Sequence, residues 1–288
     1  MHVATDLHGH TLFSDGRATP EEYVEFRRAL GMRVVAISDH DVFAATRRGA
    51  VAAAHAGMVF LPAAEITTFL RFGTTEAEQF HVLAYFSPDA LAGAKLEQTF
   101  LHRRGILVQE RWRDFVLEWL GALLPEDRDA IDPDGSIARL PASEFPALQS
   151  TIDLVVRRRR PLFEVFRDHH VRFWEDAELF GWTPEDAIDA IRADAAVDIV
   201  AHPARYRDKE RTASVLARAS GVEVYTSRHK PEVAESYRRW AEENKKLWTS
   251  SADDHQNARY TRAPCGTPVT TLERLARRPL SLSMIIAA

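Results

Sequence analysis

The 288-residue chain has one cysteine, which excludes an internal disulfide framework and fits a reducing compartment. No segment approaches the ~18 consecutive apolar residues that a membrane span needs. The N-terminus, MHVATDLHGH, has neither a basic n-region nor an apolar h-region, so the expectation is a cytoplasmic protein without a secretory leader. Gly at 13 and Pro at 14 are ordinary counts, which removes collagen-like and low-complexity readings. Positive charge is also in short supply. The net charge of −5 argues against an extended nucleic-acid-binding surface. The residue present in unusual number is histidine, at 12, and its placement carries the functional signal.

Short apolar strands alternate with amphipathic helices. HVATDL reads as a strand, and TPEEYVEFRRALG as a helix with Thr19 as N-cap, Pro20 at the first position and Glu22 completing a capping box before Gly31 closes it. MRVVAIS, MVFLPAAE and FHVLAYF read as further strands, with a helix through AATRRGAVAAAHAG. After residue 180 come the helix TPEDAIDAIRAD, the strand VDIVAHP, the helix KERTASVLARAS and the strand GVEVYT. The helix EVAESYRRWAEEN, the strand KLWTSS and a helix near TLERLARR follow. Repeated β-α units predict a mainly parallel sheet, and their number at this length favours a barrel.

Residues 91–180 interrupt this alternation. The segment is rich in Arg, Trp and Phe and reads as a mainly helical insertion between barrel segments 1–90 and 181–288, with an irregular acidic loop at PEDRDAIDPDG. Its run Arg157 to Arg160 is not a nucleic-acid track, because residues 102–180 hold 12 Arg against 15 Asp plus Glu. A solvated helix face accounts for it.

Metal-ligand residue types recur where strands end. His8 and His10 stand two apart, so on an extended strand both can point to one side. Asp15 follows in Ser14-Asp15-Gly16, the next strand ends in Asp39-His40-Asp41, and the third ends at Glu65. His81, His202, His229, Asp253 and His255 fall on the later strands. In a parallel barrel those ends meet, and that is where function resides. One His-x-His pair is weak evidence, but six histidines and three carboxylates among these residues, on successive strands, point to a metal centre. Imidazole and carboxylate without thiolate suit Zn²⁺, Mn²⁺ or Fe²⁺.

Asp6-Leu7-His8-Gly9-His10-Thr11 with Ser14-Asp15-Gly16, then Ser38-Asp39-His40-Asp41, Glu65, His81, Ala201-His202-Pro203 and Asp253-x-His255 together resemble the PHP (polymerase and histidinol phosphatase) family. His202-Pro203-Ala204-Arg205-Tyr206 and the helix start Thr183-Pro184-Glu185-Asp186-Ala187 are most similar to its stand-alone phosphoesterases. Those act on nucleotide 3′-phosphates or as 5′-to-3′ exoribonucleases. The resemblance implies a distorted (β/α)₇ barrel, with the insertion as a substrate cap, and a metal-dependent phosphoric ester hydrolase with two or three divalent cations. It implies that His8, His10, Glu65 and Asp253 hold one cation, and Glu65, His81 and His202 a second. Asp15, His40 and His255 would hold a third. Glu65 and Asp253 would hold a metal-bound hydroxide that attacks phosphorus, and Arg205 would contact a substrate phosphate. His229 would contact phosphate or protonate the leaving group. The implied partner is a small phosphorylated substrate, a nucleotide or short RNA.

Around these, Asp39 and Asp41 read as orienting groups, Ser14 as a loop hydrogen-bonder and Cys265 as a bystander. His55, His102, His169 and His170 read as surface residues on helices. The family's last motif often runs Gly-Ser-Asp-Phe-His-Gly, whereas this chain has Ser251-Ala252-Asp253-Asp254-His255-Gln256. Ser150-Thr151-Ile152-Asp153 offers no counterpart to the Arg- and His-containing motif of nucleotide-specific relatives. Competing readings are a histidinol phosphate or other sugar or cyclic-phosphate phosphatase, a C–N hydrolase, and a non-catalytic PHP module. The last predicts lost ligands and a fused domain.

Overall fold

The computed structural model describes residues 1–258 and 266–280; Cys265 lies outside the described residues. The strands are β1 (His2–Val3), β2 (Thr5–Asp6), β3 (Val34–Val35), β4 (Val59–Phe60), β5 (Ala63–Leu70), β6 (Glu78–Tyr85), β7 (Val197–Val200), β8 (Gly221–Tyr225), β9 (Leu247–Ser250) and β10 (Thr267–Pro268). Helices α1 (Pro20–Ala29) and α2 (Thr46–His55) follow β2 and β3. Between β6 and β7 come α3 (Phe100–Ala122), α4 (Pro125–Ile131), α5 (Leu148–Arg159), α6 (Leu162–His170), α7 (Ala177–Phe180) and α8 (Pro184–Ala193). The chain continues through α9 (Lys209–Arg218), α10 (Pro231–Glu243) and α11 (Val269–Ala276). No described helix is long and apolar enough to cross a membrane.

One sheet runs β2-β3-β4 and another β5-β6-β7-β8-β9. Isolated parallel bridges join them at both seams, His40 to Glu65 and Gly9 to Asp254. With β4 and β5 counted as one strand interrupted at Leu61 and Pro62, the result is a nearly closed, seven-stranded barrel with helices around it, as expected for a distorted (β/α)₇ fold. The mainly parallel expectation needs one correction, since β6 is antiparallel to both β5 and β7. The 71–77 connection is too short for a parallel crossover, which needs about a dozen residues, so β5 and β6 form a hairpin. A second correction concerns Glu65. MVFLPAAE breaks around Pro62, which has no N–H for the ladder, and the strand restarts and runs to Leu70, leaving Glu65 inside β5.

Local chemistry explains the elements that site the chemistry. Thr19 Oγ1 accepts from the Glu22 N–H (3.2 Å) and Glu22 Oε2 from the Thr19 N–H (2.8 Å), the expected capping box at the start of α1. Gly16 is required by space: a Cβ there would lie 2.3 Å from the His10 carbonyl, so only glycine lets the loop turn back and return Asp15 to His10.

The segment before α8 is helical, as expected, and Trp112, Trp119, Val155, Phe166, Phe173 and Phe180 are buried in a core that also takes in Val42 and Phe69 of the barrel segment. PEDRDAIDPDG differs from the expected irregular loop, because Pro125–Ile131 is α4. Pro125 in its first turn, with Glu126 and Asp127, suits a helix N-terminus and its dipole. Arg157 to Arg160, at the end of α5, are exposed, and Arg159 Nε meets Asp127 Oδ1 at 2.8 Å.

Phe166 is fully buried between the Trp112 and Trp119 rings, with centroids at 6.3 and 4.9 Å. Phe166→Ala should destabilise the protein by about 3–5 kcal/mol, the cost of a large aromatic cavity that cannot collapse. A lower urea midpoint at unchanged slope would show it, and an unchanged midpoint would mean that this core adds nothing to global stability.

Candidate metal centre

The barrel brings all nine expected ligands together. Glu65, on β5, is their centre. Its Oε2 lies 3.1 Å from His8 Nε2, 3.3 Å from His10 Nε2 and 3.3 Å from His40 Nδ1. Its Oε1 lies 3.0 Å from His81 Nδ1 and 3.0 Å from His202 Nε2. One buried carboxylate is therefore shared by five imidazoles. Asp253 Oδ1 sits 3.3 Å from His10 Nε2, 3.6 Å from His8 Nε2 and 3.6 Å from His255 Nδ1. Asp15 faces His10 Nδ1 at 3.5 Å through Oδ1, and His40 and His255 Nε2 at 3.6 and 3.3 Å through Oδ2. Three groups have ligand atoms close enough for one ion: His8-His10-Glu65, His40-Glu65-His81 and His10-Asp15-His40-His255.

These contacts are near but mostly not hydrogen bonds. His8 Nε2, both ring nitrogens of His10, His40 Nδ1 and His81 Nδ1 are buried with no hydrogen-bond partner. Buried polar atoms are seldom left so, and donor atoms aimed at a common point rather than at one another are what a cation site presents. The charges agree. Burial disfavours the Glu65 and Asp253 carboxylates, yet the imidazoles around them, His8 foremost, hold both well below the usual carboxylate range. Burial likewise opposes a proton on His10, but Asp15, Asp253 and Glu65 outweigh it and push the group up to about 10. At His40 burial wins, and its pKa falls to about 4.

A second layer fixes the ligands. Glu223 Oε1 accepts from His8 Nδ1 (3.0 Å), setting the tautomer that leaves Nε2 for a cation, and from Ser251 Oγ (2.6 Å). Glu223 Oε2 accepts the His202 N–H at 2.8 Å. Sequence reasoning gave Glu223 no role, although an acid inside the apolar strand GVEVY was a usable signal. Asp39 accepts from the Thr11 N–H (2.7 Å), Thr11 Oγ1 (2.6 Å) and Ser14 Oγ (2.6 Å), holding the loop that carries His10 and Asp15. The orienting and loop roles expected of Asp39 and Ser14 fit those contacts. Asp41 Oδ1 accepts from Arg104 Nη1 (2.6 Å) and the Thr67 N–H (3.0 Å), tying β5 to α3. Asp254 spends its carboxylate on the buried Arg27, with Nη2 to Oδ2 at 2.8 Å.

Residues 6–99 match the model of the PHP domain family. That match spans 94 of the 288 residues, about a third of the chain. The 5′-3′ exoribonuclease Rnm of Salmonella typhimurium is 29% identical over 215 residues, covering 71% of this chain and 67% of that protein. A 5′-3′ exoribonuclease of Haemophilus influenzae is 24% identical over 206 residues, covering 70% and 69%. Among solved structures, a candidate metal-dependent phosphoesterase from Bifidobacterium adolescentis has a TM-score of 0.62 at 22% identity, with 96% of this chain and 97% of that one covered. An amidohydrolase from Chromobacterium violaceum, with bound sulfate and no metal, has a TM-score of 0.62 at 20% identity, covering 96% and 99%. At those identities the two structures bear on the fold alone. The family match and these relatives support a hydrolase.

At the ligand cluster opens a cleft of about 1020 Å³, lined by Asp15, His40, Glu65, His81, Asp253 and His255. Arg205 lines it, is exposed and makes no ion pair among the described residues. His229 does not line it, and its expected role is corrected. Its ring is buried, Nδ1 donates to the Val224 carbonyl (2.8 Å) and Nε2 accepts the Ala204 N–H (3.3 Å). With both nitrogens engaged and burial lowering its pKa, His229 braces the turn before Arg205 instead of meeting substrate. Its neighbour Arg228, which sequence reasoning passed over, lines the cleft. His170, expected at the surface, is a second correction, because α6 carries it to the cleft wall. His102 is half-buried, stacked on Phe43 with centroids 5.9 Å apart, whereas His55 is exposed as expected.

Glu223→Gln should keep the fold but weaken metal binding about 10- to 100-fold, because the amide no longer holds His8 and His202 as a carboxylate does. Competition titration against a metal-chelating dye reads this directly, and an unchanged affinity would deny Glu223 that role. Cations must also displace protons held by His8 and His10, so metal uptake should release protons and affinity should rise with pH. Calorimetry at about pH 6 and about pH 8, in buffers of different ionisation heat, checks the sign. Equal affinities with no proton release would remove both imidazoles from the ligand set.

Proposed function

We propose that this chain is a cytoplasmic metal-dependent phosphoesterase that hydrolyses a phosphate ester of a small substrate, a nucleotide 3′-phosphate or a short oligonucleotide. The observation that carries the reading is Glu65, a buried carboxylate shared by five imidazoles at the floor of an open cleft that also presents Arg205. Imidazole and carboxylate donors without thiolate fit Mn²⁺, Zn²⁺ or Fe²⁺. His8, His10, Glu65 and Asp253 would hold one cation, Glu65, His81 and His202 a second, and Asp15, His40 and His255 a third. Such cations supply Lewis acidity, making water a nucleophile near neutral pH and neutralising charge on the phosphoryl oxygens.

The chain's own residues do the rest. Glu65 and Asp253 are held ionised and fix the reacting centre, and Arg205 offers a planar fork to a phosphate. Ser14 is no nucleophile in this scheme, because its hydroxyl is committed to Asp39. The cleft lining also carries Phe13, Phe69, Phe72, Trp112, Phe145 and Trp174. A wall of that kind favours a flat ring on the substrate, which supports a nucleotide over a sugar phosphate.

The test is a panel of phosphate esters given to metal-free protein reloaded with Mn²⁺, Zn²⁺ or Fe²⁺, with phosphate and ammonia both measured. Phosphate release from nucleotides is expected; ammonia release without phosphate would turn the reading to C–N hydrolysis. Glu65→Gln should leave the fold intact and cost ~10³-fold or more in rate, because a neutral amide cannot bridge two cations. Wild-type turnover and metal content in that variant would overturn the bridging role.

A further inference from the structure

We propose that Arg228 is a substrate-binding residue whose guanidinium is anchored on Asp253 and takes a phosphoryl oxygen with its free end. This rests on the phosphoesterase reading. Arg228 lies in the turn between β8 and α10, and that turn is tied to the segment carrying Asp253: the Ser227 N–H donates to the Ala252 carbonyl (3.3 Å), and the Ser251 N–H to the Tyr225 carbonyl (2.8 Å). Arg228 Nε donates to Asp253 Oδ2 at 2.6 Å, while the other oxygen of that carboxylate faces His8, His10 and His255. The carboxylate is thereby divided, with one oxygen for the ligand cluster and one for the arginine.

The geometry leaves Arg228 unfinished as a structural ion pair. Asp253 is buried, but the Arg228 side chain is 46% exposed and borders the cleft. Among the described residues nothing binds its two terminal nitrogens, so four of its five N–H donors remain for a ligand. Among the described residues, Arg228 and Arg205 are the only Lys or Arg side chains lining the cleft. A phosphate monoester arriving over Glu65 and Asp253 needs cationic donors at its oxygens, and a guanidinium already oriented by one N–H loses little freedom in giving two more. Anchoring also explains why the arginine stands beside His229 rather than replacing it: the histidine holds the Arg205 turn, and the next residue back reaches the cleft.

The test uses the full-length protein loaded with Mn²⁺, with inorganic phosphate as the probe. Arg228→Met and Arg228→Lys are compared with wild type for bound metal, thermal midpoint, phosphate affinity by calorimetry, and kcat and KM on the ester that wild type hydrolyses. The proposal expects unchanged metal content and midpoint, with phosphate affinity and kcat/KM about 10- to 100-fold lower in Arg228→Met. Arg228→Lys should recover part of that loss, since it keeps the charge and loses the fork. Unchanged phosphate affinity in Arg228→Met would overturn the proposal, and so would loss of metal in that variant, which would make Arg228 only a brace for Asp253. Wild-type protein that neither binds phosphate nor releases it from any ester would instead bring down the phosphoesterase reading, independently of the variants.

Discussion

The structure turns on one constraint, a cluster of carboxylates buried at the mouth of a barrel. Removing ionised carboxylates from water is costly by many kcal/mol unless opposite charge surrounds them, and here imidazoles do so from nearly every strand. The cluster divides its protons unevenly: His10 is pushed up to about 10 and His40 down to about 4, although both rings border the Glu65 Oε2 oxygen. Both rings meet Asp15, but His10 also meets Asp253, whereas at His40 burial and the neighbouring His10 and His81 prevail. The arrangement is a balance that divalent cations would complete, and the backbone shows how firmly it is held. Asp41, His202 and Asp253 adopt positive φ values of 60°, 28° and 55°. Such conformations cost on the order of 1–3 kcal/mol each and persist only where the surroundings over-determine them.

The β5–β6 hairpin is how a mainly parallel barrel delivers Glu65 and His81 to one place. In the register Thr67 pairs with His81 and Glu65 with Leu83. Glu65 and Thr67 share a face, and His81 stands opposite Thr67, so Glu65 and His81 are diagonal neighbours within reach of long side chains. A parallel strand would have delivered its ligand at an end, like His8 or His202. An antiparallel one can deliver it from the middle, because its neighbour runs the other way past the same point.

Much of this was legible in the sequence. The His-x-His spacing, Ser14-Asp15-Gly16, and a His, Asp or Glu at each later strand are local patterns, and the barrel collects them. What was not legible depended on partners remote in sequence. The length of the 71–77 connection decides the direction of β6, yet an apolar strand reads alike in either direction. Pro125 with Glu126 and Asp127 starts a helix as readily as it punctuates a loop. Glu223 reads as an isolated acid until His8 and His202 arrive on either side of it. At Arg228-His229 the sequence located the strand end, but which of two adjacent side chains faces the cleft is set by the turn.

Asp254 is the clearest case of a departure that only packing explains. Where the resembled pattern has an aromatic, this chain has a carboxylate, and helix α1 meets it with Arg27, fully buried and stacked 3.6 Å from the Tyr23 ring centroid. Arg27 Nε also binds Asp6 Oδ2 at 2.9 Å, and its Nη1 reaches Asn257 Oδ1. Asp6 in turn accepts the Ala252 N–H at 2.9 Å. The last loop is therefore gripped from both ends, at Ala252 and at Asp254 and Asn257, with Asp253 and His255 between. The backbone adds three bonds to the opposite loop: Asp253 N–H to the His8 carbonyl at 2.8 Å, His10 N–H to the Asp254 carbonyl at 3.0 Å, and Arg17 N–H to the His255 carbonyl at 3.0 Å. A buried arginine with one carboxylate would be a poor trade, since breaking such a pair strands a charge, but one shared between Asp6 and Asp254 also fixes a register. That register is the seam where the barrel closes, so the charge network sets His8, His10, Asp253 and His255 against one another.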